Sequence, residues 1–323
     1  MHILLTGASS FTGAHFAQTL VAAGHQVTAT FRGARDGYTG LRQTRIDGLA
    51  GAVETVWNTS FGDDRFVDLV AASTFDVLCH HGAEMTDYRS WDYDALAASA
   101  ANTRNSRKVL QTLLDRGGRA LVVTGSVFEP FEGVGDPQQR AFSPYGLAKH
   151  ISFELLRLEA DRLGLVSAEP GAGKLALGKF VISNPFGPGE EFRFTSFLAR
   201  EWAAGRTPVV NTPDYIRDNI HVSLLADHYA DFVGRPFDGY ARSTPSGYVE
   251  SQGAFARRLA LEIEARLGWS CPVGCAAQTD FAEPLMRTNP KAAVCNPADD
   301  ASLRWSESAA WDALAAYYQA SFA

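Results

Sequence analysis

Tyr145 and Lys149 stand four residues apart in Tyr145-Gly-Leu-Ala-Lys149. On a helix this spacing puts both side chains on one face. A phenol with a pKa of about 10 exchanges protons poorly at neutral pH. An ammonium beside it favours the phenolate and lowers that pKa. The pair then serves as proton donor and acceptor for an alcohol or a carbonyl. The same spacing also occurs on ordinary exposed helices, so the pair takes its meaning from its surroundings. The decisive neighbour is a Gly-rich segment at the start of the chain, Thr6-Gly7-Ala8-Ser9-Ser10-Phe11-Thr12-Gly13.

The elements around that segment give it a purpose. Residues 2–6 form a short apolar run rich in strand formers, and the Gly-rich turn follows at once. Residues 16–21 carry apolar side chains at helical spacing, Gly24-His25 reads as a helix stop, and 26–31 is a second strand. A strand, Gly-rich turn, helix, strand unit is the context of a dinucleotide fingerprint. Gly7 and Gly13 allow a tight turn and close backbone approach, and the helix N-terminus faces a pyrophosphate. Ser10 takes the place of the middle glycine, where its hydroxyl can reach phosphate. At the end of the second strand an NAD site usually has an acid for the ribose. This chain has Phe31-Arg32-Gly33 instead. Arg32 suits a 2′-phosphate, so NADP is the expected cofactor and NAD the alternative; a merely solvated Arg32 is the plainer one.

Strands are predicted at 2–6, 26–31, 53–57, 75–80, 119–124 and 178–183, and helices at 13–23, 63–72, 94–116 and 145–163. Such alternation predicts an α/β fold, a Rossmann-type doubly wound parallel sheet. Residues 33–52 have weak periodicity and receive no element. After residue 184 prolines punctuate shorter elements, and Phe192, Phe194 and Phe197 are expected to pack a smaller lobe. The pattern at 222–233 is helical. The expected division is a dinucleotide-binding domain of residues 1–183, to which 219–245 return, and an interleaved C-terminal substrate lobe of 184–218 and 246–323. Residues 168–178 read as a mobile loop.

Composition bounds the function. The 323 residues are 46% hydrophobic and carry a net charge of −7. No basic cluster interleaved with aromatics is present, which argues against nucleic acid as a partner. No run of about 18 apolar residues suggests a membrane span. A strand from residue 2 leaves no room for a signal peptide, and the expected location is cytoplasmic. Cys79 sits in an apolar strand and reads as buried packing. Cys271, Cys275 and Cys295 lack a zinc-like pattern, so no metal is expected and reduced thiols are the simpler reading.

Several further segments, in order, resemble the extended short-chain dehydrogenase/reductases, the group of nucleotide-sugar epimerases, dehydratases and ketoreductases. Asp76-Val-Leu-Cys-His-His-Gly-Ala83 is similar to the family's fourth strand, and Leu121-Val-Val-Thr-Gly-Ser-Val-Phe128 to the strand ending in a catalytic Ser or Thr. Val181-Ile-Ser-Asn-Pro-Phe-Gly-Pro-Gly189 resembles the substrate loop, and Arg217-Asp-Asn-Ile-His-Val222 the segment whose Arg meets a nucleotide diphosphate. The resemblance implies a catalytic set of Thr124, Tyr145 and Lys149, with Ser126 as the other candidate hydroxyl. It implies cofactor contacts from Gly7, Ser10, Phe11, Gly13, Arg32, His81, Gly82, Ala83, Asn102, Tyr145, Lys149 and Ile182, with Asn102 opening a helix. Substrate contacts would come from Glu84, Ser126, Asn184 and Arg217, with Asp87 and Tyr88 lining the pocket and Asp218 and His221 bracing Arg217. His80 and His81 at the strand end could touch substrate, though packing is the plainer role. Glu190-Glu191 reads as a solvated turn. The family's 4,6-dehydratases place Asp-Glu directly after the catalytic Thr; here Gly125-Ser126 stand there, which disfavours dehydration. The resemblance, with Arg32, implies a keto-sugar reductase, and alternatively a 4-epimerase that retains its cofactor. The family often forms homodimers through the helices matching 94–116 and 145–163.

Overall fold

A computed structural model describes residues 1–134, 138–163, 175–278, 283–289 and 305–322. Two compact units share the chain. Unit 1 comprises Met1–Glu132, Gln139–Ile182 and His228–Thr244; unit 2 comprises Gly133–Gln138, Ser183–Asp227 and Pro245–Ala323. The segment that returns to unit 1 therefore starts at His228, later than the expected 219.

Unit 1 alternates strand and helix. Its elements are β1 (His2–Thr6), α1 (Phe11–Ala22), β2 (Gln26–Thr30), α2 (Gly40–Asp47), β3 (Glu54–Val56), α3 (Asp64–Ala72), β4 (Val77–His80), α4 (Ala95–Asn102), α5 (Ser106–Asp115), β5 (Ala120–Ser126), α6 (Pro144–Arg162) and β6 (Ala176–Ile182). Unit 2 contributes β7 (Asn184–Phe186), α7 (Phe194–Ala203), β8 (Val209–Val210) and β9 (Ile216–His221). Helix α8 (Val222–Gly234) carries the chain back to unit 1 for β10 (Tyr240–Ser243). Unit 2 then resumes with β11 (Tyr248–Ser251), α9 (Gln252–Leu267), β12 (Gly274–Cys275), β13 (Met286–Arg287) and α10 (Glu307–Phe322).

Among the described residues unit 1 builds a seven-stranded sheet in the order β10-β6-β5-β4-β1-β2-β3. Every neighbouring pair is parallel. The central strands are continuously apolar, as a sheet covered on both faces requires. On one face Leu4, Leu78, Leu121 and Val123 meet Phe66, Val70, Leu110, Leu113, Phe153 and Leu156 of α3, α5 and α6. Phe16 of α1 stacks on Tyr229 of α8 at 3.9 Å, and Tyr229 meets Phe180 of β6 edge-on at 4.9 Å. The strand order reverses between β1 and β4. Ligands of open α/β sheets bind at such a switch point, beyond the carboxyl ends of the strands.

Several expectations change. The helix expected over 94–116 is two helices, α4 and α5. Asn105 adopts a left-handed φ of 50° between them, a conformation Asn tolerates because its side chain bonds locally; here Asn105 Nδ2 donates to the Gly62 carbonyl at 2.8 Å. Asn102 therefore ends a helix and does not open one. The unplaced stretch 33–52 holds α2 and a short 3₁₀ turn at Arg35–Gly37. Strand β6 begins at Ala176, so the loop expected over 168–178 is shorter at its end, and 168–174 lie outside the described residues. Strand β5 runs to Ser126, beyond the expected 124.

In unit 2, β7 and β13 run parallel to β9 and β11 antiparallel to it. Phe186, Leu198, Trp202, Phe255, Leu259, Ile263, Trp311, Leu314 and Tyr318 form its core. Phe194 and Phe197 pack against this cluster, but Phe192 is 54% exposed and packs beneath the Arg200 guanidinium. Glu190 is not a solvated turn. It is buried, takes hydrogen bonds from Thr195 and Tyr318, and burial raises its pKa to about 7. Cys79 is buried, and Cys271 and Cys275 are free thiols; Cys295 lies outside the described residues.

Candidate active site

The Gly-rich loop is built for close approach. Gly7 has φ of +80°, and a Cβ there would stand 2.8 Å from the Gly82 backbone. A Cβ on Gly13 would stand 2.2 Å from the Gly7 carbonyl. Ser10 caps α1, its Oγ accepting from Gly13 N at 3.1 Å and donating to Gly7 O at 2.8 Å. The Ser10 hydroxyl is thus occupied within its own turn. Phe11 packs in the core, under the Arg45 guanidinium. The loop, the amino end of α1 and the Gly82-Ala83 exit of β4 converge at the switch point. These residues fit a dinucleotide, whose pyrophosphate the helix N-terminus and close backbone would hold.

Two histidines stand at the end of β4, and hydrogen bonds hold both. His80 bonds Thr6 Oγ1 at 3.1 Å and the Asn102 carbonyl at 2.9 Å, while Thr6 Oγ1 accepts from Gly82 N at 2.8 Å. His81 reaches Ser10 Oγ at 3.0 Å, Thr12 Oγ1 at 3.1 Å and Thr124 Oγ1 at 3.0 Å. Burial pulls His80 down to about 4 and His81 to about 3, and the Lys149 charge adds to both. Both rings are therefore neutral at physiological pH. Asn102 is buried; its Oδ1 accepts from Glu84 N at 2.8 Å and its Nδ2 donates to Ser152 Oγ at 3.2 Å. It holds the β4 exit from below.

Arg32 lies beyond the end of β2 and pairs with Glu84 at 2.8 Å. Glu84 Oε1 also accepts from the Thr86 amide at 2.9 Å, and these bonds, with Arg32, hold its carboxyl down at about 2 although burial opposes them. Glu84 is therefore ionised and engaged with Arg32. Asp87 has a left-handed φ of 51°.

Tyr145 and Lys149 occupy the first turns of α6, which Ser143 caps and Pro144 opens. The half-buried Tyr145 ring sits 5.3 Å from Tyr88, 6.2 Å from Tyr93 and 6.0 Å from Phe128. Lys149 is buried, and its Nζ donates to the Thr124 carbonyl. Burial lowers its pKa; Glu129 opposes the shift and Lys179 adds to it. Thr124 and Ser126 are both buried at the end of β5. Ser126 Oγ accepts from Phe128 N at 3.3 Å, and Ser126 N donates to Glu129 Oε1 at 2.8 Å. Glu129 and Glu132 both bind the buried Lys179 ammonium at 2.8 Å. Nothing in the sequence pattern singled out this ionic group, because its members lie 47–50 positions apart on β6 and the β5 exit.

In unit 2, Arg217 is buried in β9 with its guanidinium over the Tyr215 ring and Nη2 3.1 Å from Glu283. Arg287 of β13, equally buried, meets the same Glu283 oxygen at 3.2 Å. Burial and the like charge of Arg287 pull the Arg217 pKa down, and Glu283 opposes them. Two buried guanidinium groups thus share one carboxylate. Asp218 accepts from Ser246, Gly247 and Asn289, and His221 Nδ1 bonds Ser223 at 2.7 Å. Asn184 Nδ2 donates to Asn219 Oδ1 at 2.5 Å. Ile182 closes β6 in unit 1.

A family comparison matches residues 3–236 to the NAD dependent epimerase/dehydratase family. No curated protein sequence matches the chain. Among solved structures, UDP-glucuronic acid 4-epimerase from Bacillus cereus has a TM-score of 0.72 at 15% identity, covering 100% of each chain. MoeE5, in complex with UDP-glucose and NAD, has a TM-score of 0.67 at 18% identity over 100% of each chain. DesIV, a dTDP-glucose 4,6-dehydratase from Streptomyces venezuelae, has 0.70 at 16% identity over 99% of this chain and 97% of its own. No helix among the described residues is long and apolar enough to cross a membrane.

Proposed function

The chain belongs to the NAD-dependent epimerase/dehydratase family, and from that premise we propose that it is an NADP(H)-dependent oxidoreductase reducing the keto group of a nucleotide-sugar. The carrying observation is the Tyr145–Lys149 pair, set on α6 against the end of β5 in the same unit as the Gly-rich loop. A nicotinamide cofactor, when bound, supplies the hydride. Tyr145 delivers the proton to the reacting oxygen, and the Lys149 charge supports its phenolate. Family membership supports a nucleotide-sugar substrate, and the solved structures of similar fold include proteins named for UDP- and dTDP-sugars.

Substrate recognition in this reading falls to unit 2. Arg217 and Arg287 place two buried guanidinium groups together at one Glu283 oxygen. A diphosphate would be held there through charge-assisted hydrogen bonds. Arg287 joins Arg217 as a candidate here although sequence reading did not find it. Dehydration is disfavoured because Gly125 leaves no acid where the dehydratases have one.

The NADP preference rests on Arg32 and the lack of an acid beside it. The Arg32–Glu84 pair is partly exposed, and such pairs contribute about 0–1 kcal/mol. A 2′-phosphate can therefore displace Glu84. The same pair supports a second reading. With Arg32 already neutralised, NAD is accommodated, and a 4-epimerase that retains NAD follows. Calorimetric titration with both cofactors separates them: tighter NADP(H) binding supports the reductase, and equal or tighter NAD(H) binding supports the epimerase.

A further inference from the structure

His81 lies at the centre of a hydrogen-bond network. A neutral imidazole has one donor and one acceptor nitrogen. Ser10 Oγ stands 2.8 Å from the Gly7 carbonyl, which can only accept, and 3.0 Å from His81 Nε2, with Thr12 Oγ1 3.1 Å from the same nitrogen. When Ser10 gives its single proton to Gly7, its nearer acceptor, Nε2 carries the ring proton and Nδ1 accepts. Thr124 Oγ1, 3.0 Å from Nδ1, is then the donor to His81. The Thr124 carbonyl takes the Lys149 ammonium.

Ser126 differs. Side chains two apart on a strand share a face, so Ser126 stands on the Thr124 side of β5, one step nearer the carboxyl edge where ligands bind. The Tyr145–Lys149 segment brackets it. Lys149 bonds the carbonyl two residues before it. Two residues after it, Phe128 meets the Tyr145 ring at 6.0 Å, and a Cβ on Gly146 would stand 2.1 Å from the Phe128 carbonyl. Ser126 Oγ accepts from Phe128 N, and among the described residues its proton goes to no partner.

We infer that Ser10 gives its proton to Gly7 and His81 is protonated at Nε2, that His81 thereby fixes Thr124 as a positioning residue, and that Ser126 is the catalytic hydroxyl that donates to the reacting oxygen. The inference rests on the hydride-transfer reading above. It reverses the order of the two hydroxyls that the sequence suggests. The Ser10–His81–Thr124 chain instead ties the cofactor loop to β5.

Two measurements test it. Nitrogen NMR of the histidine side chains, with His81→Asn for assignment, reads the tautomer without any turnover. The expected spectrum shows a neutral ring protonated at Nε2, with Nδ1 shifted in Thr124→Val. A ring protonated at Nδ1 frees the Thr124 proton and overturns the inference. Kinetics reads the second half. Ser126→Ala should lower kcat by roughly 10²–10³-fold, the scale of one lost donor to a developing oxyanion. Its calorimetric cofactor affinity should stay unchanged, and Ser126→Thr should restore rate. Thr124→Val should lower kcat by about tenfold or less, the scale of a lost neutral hydrogen bond. The reverse ranking, with cofactor binding intact in both variants, overturns the assignment. A wild type that turns over no keto-sugar nucleotide overturns the functional reading itself, and the tautomer then judges the His81–Thr124 bond alone.

Discussion

Gly125 faces the buried Lys179: a Cβ added to the glycine would stand 2.9 Å from Lys179 Cε and 3.0 Å from Glu129 Oε1. The lysine cannot simply move aside, because Glu129 and Glu132 each hold its ammonium at 2.8 Å and the Phe153 ring lies 4.2 Å away. The space beside β5 where the related dehydratases carry an Asp is thus filled by an ionic group. An acid at 125 would also stand next to the Glu129 carboxylate. The absence of a dehydratase acid is therefore a packing requirement here as well as a chemical difference.

The first prediction concerns that contact. Gly125→Ala should destabilise unit 1 by about 1–3 kcal/mol, the usual cost of overpacking, and Gly125→Asp by more. Urea denaturation of both variants measures this. An alanine variant as stable as the wild type would show that Lys179 yields freely.

Glu190 gives a pH dependence. Its folded pKa of about 7 lies above the ordinary carboxyl value, chiefly through burial, with Tyr318, Thr195 and Gly187 opposing. A raised pKa means that the folded state favours the protonated form. The contribution is therefore fully present below the unfolded value near 4.5 and is lost as pH rises through about 7. By linkage its size is about 1–3 kcal/mol. Glu190→Gln should flatten the stability profile between those limits and should gain on the wild type as pH rises. Parallel profiles for the two proteins would contradict the assignment.

Tyr145→Phe tests the proton donor. The ring keeps its neighbours Tyr88, Tyr93 and Phe128, so packing should survive the loss of one hydroxyl. Turnover should fall roughly 10²–10⁴-fold while the cofactor still binds. A variant within about threefold of wild type, below that range, would remove Tyr145 from the mechanism.

Much of unit 1 was legible because a parallel sheet writes continuous apolar runs, and the Gly-rich turn, Arg32 and the Tyr145–Lys149 spacing are local signals. The rest depends on distant partners. Arg287 sits in a two-residue strand, too short to have a period, and its meaning comes from Arg217 and Glu283. Glu190 looked solvated beside Gly187-Pro-Gly189, since the hydroxyl of Tyr318 that covers it lies on the last helix. The break between α4 and α5 was hidden by a helical run through Asn105. Glu84 gave no sign that it would meet Arg32, because the two meet only when β2 and β4 flank β1.

Arg217 and Arg287 should behave as substrate-affinity residues. Replacing either by Ala should raise KM for a nucleotide-sugar much more than it lowers kcat, because the contact exists in both ground and transition states. Loss of a charge-assisted hydrogen bond costs roughly 1.5–3 kcal/mol, about tenfold or more in binding. Uridine and guanosine diphosphate are the competitive probes, and both should weaken in the variants. If neither inhibits the wild type at millimolar concentration, the nucleotide-sugar substrate is wrong and a smaller carbonyl substrate takes its place.

The most direct test of the account is the stoichiometry of nicotinamide consumption during turnover of a keto-sugar nucleotide. The protein is mixed with substrate and NADPH, and oxidised cofactor and sugar product are counted together. The account predicts one NADPH oxidised for each sugar reduced. Product formed from a nucleotide-sugar with no net cofactor consumption would contradict it, and would identify an epimerase that returns the hydride it takes.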